Sequence, residues 1–137
     1  MANFGDELRS APAQAKAQAD AAQAKRIAEY EAEQRRIVDN AIAYFQGQCR
    51  IAAEQGKRSI DCTPDRRAPS GAVYIGDSVT SLMICKKSAQ NRARNLVPEI
   101  ERCLSTMGLR SYRVSTVNIT TTYPARHYVG FRIQASW

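Results

Sequence analysis

The sequence has no long hydrophobic run. No stretch of the 137 residues approaches the roughly eighteen consecutive apolar residues that a transmembrane helix requires, so we expect no membrane span and no membrane partner. The first ten residues, MANFGDELRS, carry acids early and lack an apolar segment, a pattern that is not typical of a secretory signal. We therefore expect a cytoplasmic protein.

Local metal-binding motifs are also missing. The four cysteines, Cys49, Cys62, Cys85 and Cys103, are spaced 13, 23 and 18 residues apart, and the only histidine is His127. A tetrahedral zinc site usually begins with a closely spaced pair of ligands, so we predict no metal and no cofactor. Free buried thiols are expected in the absence of a secretion signal, and a Cys49–Cys62 disulfide is the alternative for an exported protein.

Sequence motifs of common enzyme families are scarce. The chain has no P-loop, no GxGxxG and no paired-carboxylate signature, so we expect neither an enzyme nor a small-molecule substrate. His127, between Arg126 and Tyr128 at a predicted turn, is interpreted as a surface residue.

One short block does resemble a catalytic motif. The sequence AVYIGDSVT at residues 72–80 is similar to the first block of GDSL hydrolases, in which an apolar strand leads into Gly-Asp-Ser. The resemblance implies an esterase whose nucleophile is Ser78. That family places an Asp three residues before its catalytic His, whereas Pro124 stands three residues before His127 in this chain. Glu99 or Glu101 would then have to orient the histidine.

Charge divides the chain into two unlike regions. Up to Gly56 there are seven basic and eight acidic residues, a net charge of −1, and from Lys57 onward there are thirteen basic and five acidic residues, a net charge of +8. Four of the five prolines also follow Gly56. We predict a helical arm over residues 1–56 and a small basic domain over residues 57–137, and the basic charge favours a polyanionic or acidic partner.

The arm has the composition of one long helix. Eight of the fourteen residues 11–24 are alanine, with Ser10 as the expected N-cap, Asp6 as a rival start and Gly56 as the expected C-terminal residue. An amphipathic stripe with alternating three- and four-residue spacing then begins. Its members are Ile27, Tyr30, Gln34, Ile37/Val38, Ala41/Ile42, Phe45, Cys49 and Ala52. We expect the part from Ile37 to pack on the chain's own domain, and a coiled-coil interface with a partner helix or a second copy is the other interpretation. The residues proposed for that interface are Ile27, Tyr30, Ile37 and Val38.

The basic domain has mixed helix and strand patterns. We predict a loop over residues 57–71, a short strand over 72–75, a helix over 86–107 and a C-terminal hairpin over 112–123 and 127–137. Val79–Cys85 fits either a strand or the first turns of a helix, Pro98 predicts a kink or a fresh helix start, and Val114 predicts a bulge or a change of face. The expected fold class is α+β, with a long N-terminal helix and one or two helices packed on a short antiparallel sheet.

The candidate site is a polyanion-binding surface. Its predicted members form two basic clusters: Lys57, Arg58, Arg66, Arg67, Lys86, Lys87, Arg92 and Arg94. Further arginines come from the hairpin region: Arg110, Arg113, Arg126 and Arg132. Lysine and arginine side chains that lie together can contact several phosphates, and Tyr112, Tyr123 and Tyr128 could stack on bases.

The resulting functional expectation is a non-enzymatic binding protein. It would dock on a macromolecular partner through its helix and its basic face, as a small phage or mobile-element regulator or inhibitor does. A nucleic-acid-binding accessory protein is the first alternative. The GDSL-like esterase is the second.

Overall fold

A computed structural model describes residues 3–67, 69–122 and 124–137. Two long helices and four strands follow one another along the chain. The elements are α1 (Phe4–Glu54), β1 (Ser59–Cys62), β2 (Val73–Gly76), α2 (Val79–Ser105), β3 (Ser111–Thr120) and β4 (His127–Ser136). The α+β class with a long N-terminal helix is confirmed. Among the described residues, no helix is both long enough and apolar enough to cross a membrane.

Helix α1 begins earlier than the sequence predicted. The Asn3 side chain accepts a hydrogen bond from the Asp6 amide at 2.9 Å and so caps the first turn. Neither Ser10 nor Asp6 is the cap, and the Ser10 hydroxyl instead donates to the Glu7 carbonyl inside the helix. Pro12, expected in the first turn, lies inside the helix.

The C-terminal end of α1 is where the sequence placed it. Gly56 has a φ of 79°, a left-handed conformation that glycine adopts at low cost. The Lys57 amide donates to the Ala52 carbonyl and the Gly56 amide to the Ala53 carbonyl, both at 3.0 Å. These two bonds form a Schellman motif, which satisfies the last carbonyls of the helix.

The chain divides into two compact units, and the division falls inside α1. The first unit ends at Gln34 and the second runs from Arg35 to Trp137. The second unit therefore includes residues 35–56, which the prediction assigned to the arm. The reason lies in the side chains: all four buried residues of α1, Ile37, Val38, Phe45 and Ala52, lie beyond Gln34.

All four strands join one antiparallel sheet organised around β4. Strand β3 pairs with β4 along its whole length, from Ser111↔Ser136 to Thr120↔His127. On the other edge, β1 pairs with the end of β4 and β2 with its start. Strand β1 is a correction, because the sequence predicted a loop over residues 57–71. Its four residues include a single branched aliphatic side chain, Ile60, which is too little for a periodic pattern to emerge.

The register of β3 resolves the expected bulge or change of face. Ten consecutive residue pairs join β3 to β4, so the ladder has no bulge. Val114 pairs with Ile133 and Ile119 pairs with Tyr128. Because partners across a ladder share a face, Val114 and Ile119 lie on opposite faces of a regular strand.

The core covers one face of the sheet. Alternate residues of β4 are buried there together with side chains from α2 and from the second half of α1. The most buried large members are Phe45, Ile100, Leu104, Ile133, Val73 and Val129. On the opposite face of the sheet, the apolar side chains of Ile119 and Pro64 lie close to Gly130. A Cβ on Gly130 would come within 2.6 Å of both Ile119 and Pro64, so this position has room only for glycine.

Helix α2 settles the two points that the sequence left open. Val79–Cys85 is helical, since α2 begins at Val79 with Ser78 as its N-cap. The helix also continues through Pro98 to Ser105 instead of restarting there. Proline has no amide hydrogen, so the carbonyl four residues before it lacks its usual helical donor. Pro98 is exposed, so water can donate to that carbonyl instead.

Candidate functional site

The first ten residues of α2 expose apolar side chains. Val79 is 67% exposed and Met83 is 81% exposed, and Ile84 and Cys85 are exposed as well. Buried side chains begin only at Ala89. A cluster of exposed apolar side chains on a small domain often marks an interaction surface.

Basic side chains lie on the same side of the helix over its following turns. Leu82, Met83, Lys86, Lys87 and Arg94 line an open groove of about 560 Å³ together with Gln90 and Asn91. Val79 stands four residues before Met83, so it lies on the same face as the groove. We call the set Val79, Met83, Lys86, Lys87 and Arg94 the α2 surface. It is apolar at the start of the helix and positively charged over the following turns.

The α2 surface carries positive charge that the described acidic residues leave unneutralised. In the part of the chain that the structure describes, no acidic side chain pairs with Lys86, Lys87 or Arg94. Arg92, which the sequence grouped with them, is half-buried, and its Nε atom is buried. Arg92 is therefore not among the residues that line the groove.

The hairpin arginines are placed differently, because aspartates face two of them. The Arg132 Nε donates to Asp61 Oδ1 at 2.8 Å, and a second bond joins the Arg132 guanidinium to Asp61 Oδ2. This bidentate pair holds the pKa of the Asp61 carboxyl below its usual value. Arg126 lies 3.4 Å from Asp77. These arginines therefore offer less net charge to a polyanion than the α2 surface does.

The other predicted cluster, residues 57–67, lies elsewhere. Arg58 precedes β1, and its carbonyl accepts from the Trp137 amide at the end of β4. Lys57 is its neighbour, whereas Arg66 and Arg67 lie in the β1–β2 loop, and all four are exposed. Helix α2 starts after β2, whose Gly76 pairs with His127 at the opposite end of β4. Lys57 and Arg58 are thus at the far end of β4 from the first turn of α2.

The tyrosines predicted for stacking do not form one platform. Tyr128 pairs with Ile119 near the start of β4 and Tyr112 with Ala135 near its end, on opposite faces of the sheet. Tyr123 lies outside the described residues. The neighbour of Tyr128 is Tyr74, which the sequence did not single out. Their ring centroids are 5.4 Å apart at a tilt of 58°.

Tyr74 belongs to a small polar cluster at this end of the sheet. It is 46% exposed, and its hydroxyl donates a short hydrogen bond to Asp77. The bond to the carboxylate raises the pKa of the Tyr74 phenol. The cluster is nearly neutral overall, because Arg126 faces the same carboxylate.

The Gly-Asp-Ser residues form a helix start. The Ser78 side chain accepts a hydrogen bond from the Ser81 amide at 3.2 Å, which caps α2. The His127 Nδ1 lies 3.1 Å from Thr120 Oγ1 across the β3–β4 ladder. These are structural roles that the N-cap position and the strand register account for.

The predicted helix interface is divided between the two units. Ile27 and Tyr30 are 49% and 50% exposed in the first unit. Ile37 and Val38, in the second unit, are buried in the hydrophobic core. The first pair is about half exposed, whereas the second pair packs within the chain itself.

All four cysteines are free thiols in differing surroundings. Cys62 is buried, Cys49 and Cys103 are half-buried and Cys85 is exposed, so the expectation that the thiols are buried fails for Cys85. Burial raises the pKa of Cys62 to about 11, with Cys49 and Asp61 adding to the shift. Over the described residues, no cluster of three or more His, Cys, Asp or Glu side chains could hold a metal ion.

Comparison with known proteins gives no relative. Neither a protein family, nor a curated protein, nor a solved structure matches this chain. Function must therefore be inferred from its own surfaces.

Sequence reasoning found the lysines of the α2 surface and missed its apolar members. Val79 and Met83 belong to the apolar run Val79–Cys85, in which a buried strand and an exposed helical turn have similar composition. The presence of Lys86 and Lys87 directly after that run was the signal available. It predicts a mixed apolar and basic helix face only once the run is known to be helical.

Proposed function

We propose that the protein is a non-enzymatic docking protein that binds a protein partner through the α2 surface. The observation that supports this proposal is the exposure of Met83 and Val79 beside three unneutralised basic side chains. Burying apolar side chains favours association by about 25 cal/mol per Å², and unpaired lysines steer an acidic partner. The partner surface that fits is therefore apolar at one end and acidic at the other.

A protein surface fits the exposed apolar side chains better than a nucleic-acid backbone does. Phosphates would pair with Lys86, Lys87 and Arg94 but would leave Met83 and Val79 exposed to water. A partner with aliphatic and acidic side chains satisfies both parts of the α2 surface. Protein docking therefore ranks above the alternatives.

Site-specific photo-crosslinking tests the proposal. The full chain carries p-benzoylphenylalanine in place of Met83 in the cells that normally produce it, and Asn95 is the matched control because it is exposed on the same helix. We expect a defined protein adduct from position 83. The adduct should disappear when Lys86→Glu and Lys87→Glu are added, since the charge of the α2 surface is then reversed.

Two results would contradict the proposal. One is equal crosslinking from positions 83 and 95, which would indicate random collision. The other is an adduct that survives the double charge reversal. Folding of every variant is checked by circular dichroism, and the exposed substitutions should change unfolding free energy by no more than about 0.5 kcal/mol each.

Nucleic-acid binding is the second candidate, favoured by the unneutralised charge on Lys86, Lys87 and Arg94. It predicts that affinity for a short duplex or single strand falls steeply between 50 and 200 mM salt, roughly tenfold or more for a few phosphate contacts. Fluorescence anisotropy measures this directly. Binding that is unchanged by Lys86→Glu and Lys87→Glu would exclude the α2 surface as the nucleic-acid site.

The proposed compartment is the cytoplasm. All four cysteines are free, and Cys85 is exposed without a disulfide partner. Exposed unpaired thiols persist in reducing compartments and tend to be oxidised outside them. Thiol titration of the protein purified under anaerobic conditions tests this placement, and a disulfide-bonded species would contradict it.

A further inference from the structure

We propose that the outer edge of strand β3 is a second interaction surface, and that its occupant is β3 of a second copy of this chain. The two strands pair antiparallel about a two-fold axis and join two four-stranded sheets into one continuous sheet. No residue of the α2 surface belongs to β3, so this contact goes beyond the docking function and does not depend on it.

The outer edge of β3 presents backbone groups that no strand pairs. Over the described residues, β3 pairs only with β4, along all ten of its residues. The Thr121 amide donates to the Arg126 carbonyl at 2.9 Å, and these two residues continue the register of that ladder. Because the backbone groups of an antiparallel strand point to alternate sides, every second residue of β3 directs its N–H and C=O away from β4. These outward-facing residues are Tyr112, Val114, Thr116, Asn118 and Thr120.

Strand β3 has few of the features that prevent sheet edges from pairing between molecules. Such features are short length, proline, bulges and charged side chains. Strand β3 is ten residues long, contains no proline, has a ladder without a bulge and carries a single charged residue, Arg113. Its threonines, valines and isoleucine favour strand pairing. In a concentrated solution of the chain, this edge meets the same edge on other copies, so self-pairing is the contact that it favours.

The opposite edge of the sheet is protected. Strands β1 and β2 are only four residues long each, and the register of β2 shifts between Tyr74 and Gly76. Strand β1 also carries Asp61, which binds Arg132. The chain therefore has protective features on the edge made of short strands and lacks them on the long edge. This difference is expected if the long edge is covered in an assembly.

The positions of the outward-facing residues set the register of the contact. They are centred on Thr116, so a two-fold axis at this residue gives all five a partner. It pairs Thr116 with Thr116, Val114 with Asn118, and Tyr112 with Thr120, and each pair exchanges two backbone hydrogen bonds. Any other two-fold register leaves at least one of the five unpaired. A two-fold contact uses the same surface on both copies and closes as a dimer.

The charges of β3 and its surroundings permit this register. Arg113 lies opposite Ile119 of the other copy, and the two copies of Arg113 are six positions apart along the ladder, about 20 Å. Arg110, just before β3, comes within two strand spacings of Arg126 of the other copy, about 10 Å. Asp77 already faces Arg126 at 3.4 Å, which reduces that repulsion.

Light scattering after size exclusion tests the inference with the pure, full-length protein. We expect twice the 15.2 kDa mass of one chain at about 100 μM, unchanged at 1 M salt because backbone hydrogen bonds form the contact. Thr116→Pro removes an outward N–H at the centre of the contact and leaves the β3–β4 hydrogen bonds in place, so it should give a monomer. Ser59→Pro is the matched control. The bond from the Trp137 amide to the Arg58 carbonyl shows that the Ser59 N–H also points away from β4, on the opposite edge, so the dimer should persist.

Charge exchange tests the register without relying on proline. Ser115 and Val117 are half-buried, and the register places Ser115 of one copy opposite Val117 of the other. Ser115→Lys with Val117→Lys, and Ser115→Glu with Val117→Glu, should each give monomers, because like charges then lie directly opposite one another. Mixing the two variants places lysine opposite glutamate and should restore the dimer mass. Lys86→Glu with Lys87→Glu, on the α2 surface, should leave the dimer intact.

A wild-type chain that stays monomeric at 100 μM overturns the inference. A dimer that survives both charged variants overturns it as well, and so does failure of the mixed variants to associate when circular dichroism shows both to be folded. If Thr116→Pro does not fold, the charged variants decide alone. Loss of the dimer in Lys86→Glu with Lys87→Glu would place the contact on the α2 surface and not on β3. A monomeric wild type leaves the docking function standing, because crosslinking from position 83 to a different protein tests that function separately.

Discussion

Helix α2 divides into Val79–Ser88, called its first half below, and the longer part Ala89–Ser105, called its second half. The two have similar apolar content but opposite surroundings. From Ala89 onward, five side chains of the helix enter the core, whereas none of the ten residues Val79–Ser88 is buried. A simple length difference contributes to this contrast. The 27 residues of α2 span about 40 Å, and the ten residues of β4 span about 33 Å, so the sheet cannot cover the whole helix.

The contrast shows that apolar composition alone does not identify the core of this fold. Val79 and Met83 are large apolar side chains, as many of the core residues are. They are instead exposed beside Lys86 and Lys87, and this is why we interpret them as a docking surface. We expect the two halves to differ as strongly in solution as they do in the structure.

The largest expected difference is in thiol reactivity. Cys85 is exposed in the first half of α2, whereas burial raises the pKa of Cys62 in the core to about 11. At pH 8 only about one Cys62 thiol in a thousand is ionised, and the thiolate is the reactive form. Ellman's reagent should therefore modify Cys85 at least about a hundredfold faster than Cys62. Cys85→Ser should remove the fast phase, and a fast phase that persists would place another thiol at the surface.

Next in size is the loss of a core side chain from the second half. Ile100 has no exposed surface, so Ile100→Ala should lower the unfolding free energy by about 2–5 kcal/mol. Ile84→Ala is the matched control in the exposed half and should change it by no more than about 0.5 kcal/mol. Urea denaturation measures both. Equal losses would mean that Ile84 is buried in solution, by self-association for example.

The sequence predicted the second half of α2 better than the first. Ala89, Ala93, Ile100 and Leu104 follow a helical period over several turns, and a pattern of that length predicts both the helix and its buried face. The run Val79–Cys85 is too short for its period to distinguish helix from strand. Its conformation depends on the local Ser78 cap and on the position of β2, which tertiary contacts determine.

The candidate site shows the same limit. The sequence identified Lys86, Lys87 and Arg94 as basic residues near one another, and the structure places them along one groove. The sequence could not show that Asp61 neutralises Arg132, because 71 residues separate the two along the chain. Long-range pairs of this kind decide which basic residues remain unpaired, and they depend on the strand register.

A smaller change is expected where the first half of α2 meets β2. A Cβ on Gly76 would lie 2.1 Å from the Ser81 Cβ, so Gly76→Ala requires the first turn of α2 to move. We expect a loss of about 1–3 kcal/mol, typical of overpacking. Gly47→Ala is the matched control, because that position has open space inside α1 and alanine favours a helix by up to about 1 kcal/mol. Thermal denaturation should therefore give shifts of opposite sign, and two shifts of the same sign would contradict the close approach of Gly76 and Ser81.

The smallest change in stability is expected at Ser78, the N-cap residue immediately before the first half of α2. Ser78→Ala removes the side chain that accepts from the Ser81 amide, and we expect a loss of about 1 kcal/mol in unfolding free energy. Ser78→Asp keeps an N-cap acceptor and should be close to wild type in stability. The pair also tests the resemblance to GDSL hydrolases, because neither alanine nor aspartate can replace a serine nucleophile. Hydrolysis of a p-nitrophenyl ester that is present in the wild type and lost in both variants would contradict a purely structural role for Ser78. A loss of stability confined to Ser78→Ala, with no serine-dependent turnover, would assign the Gly-Asp-Ser block to the start of α2.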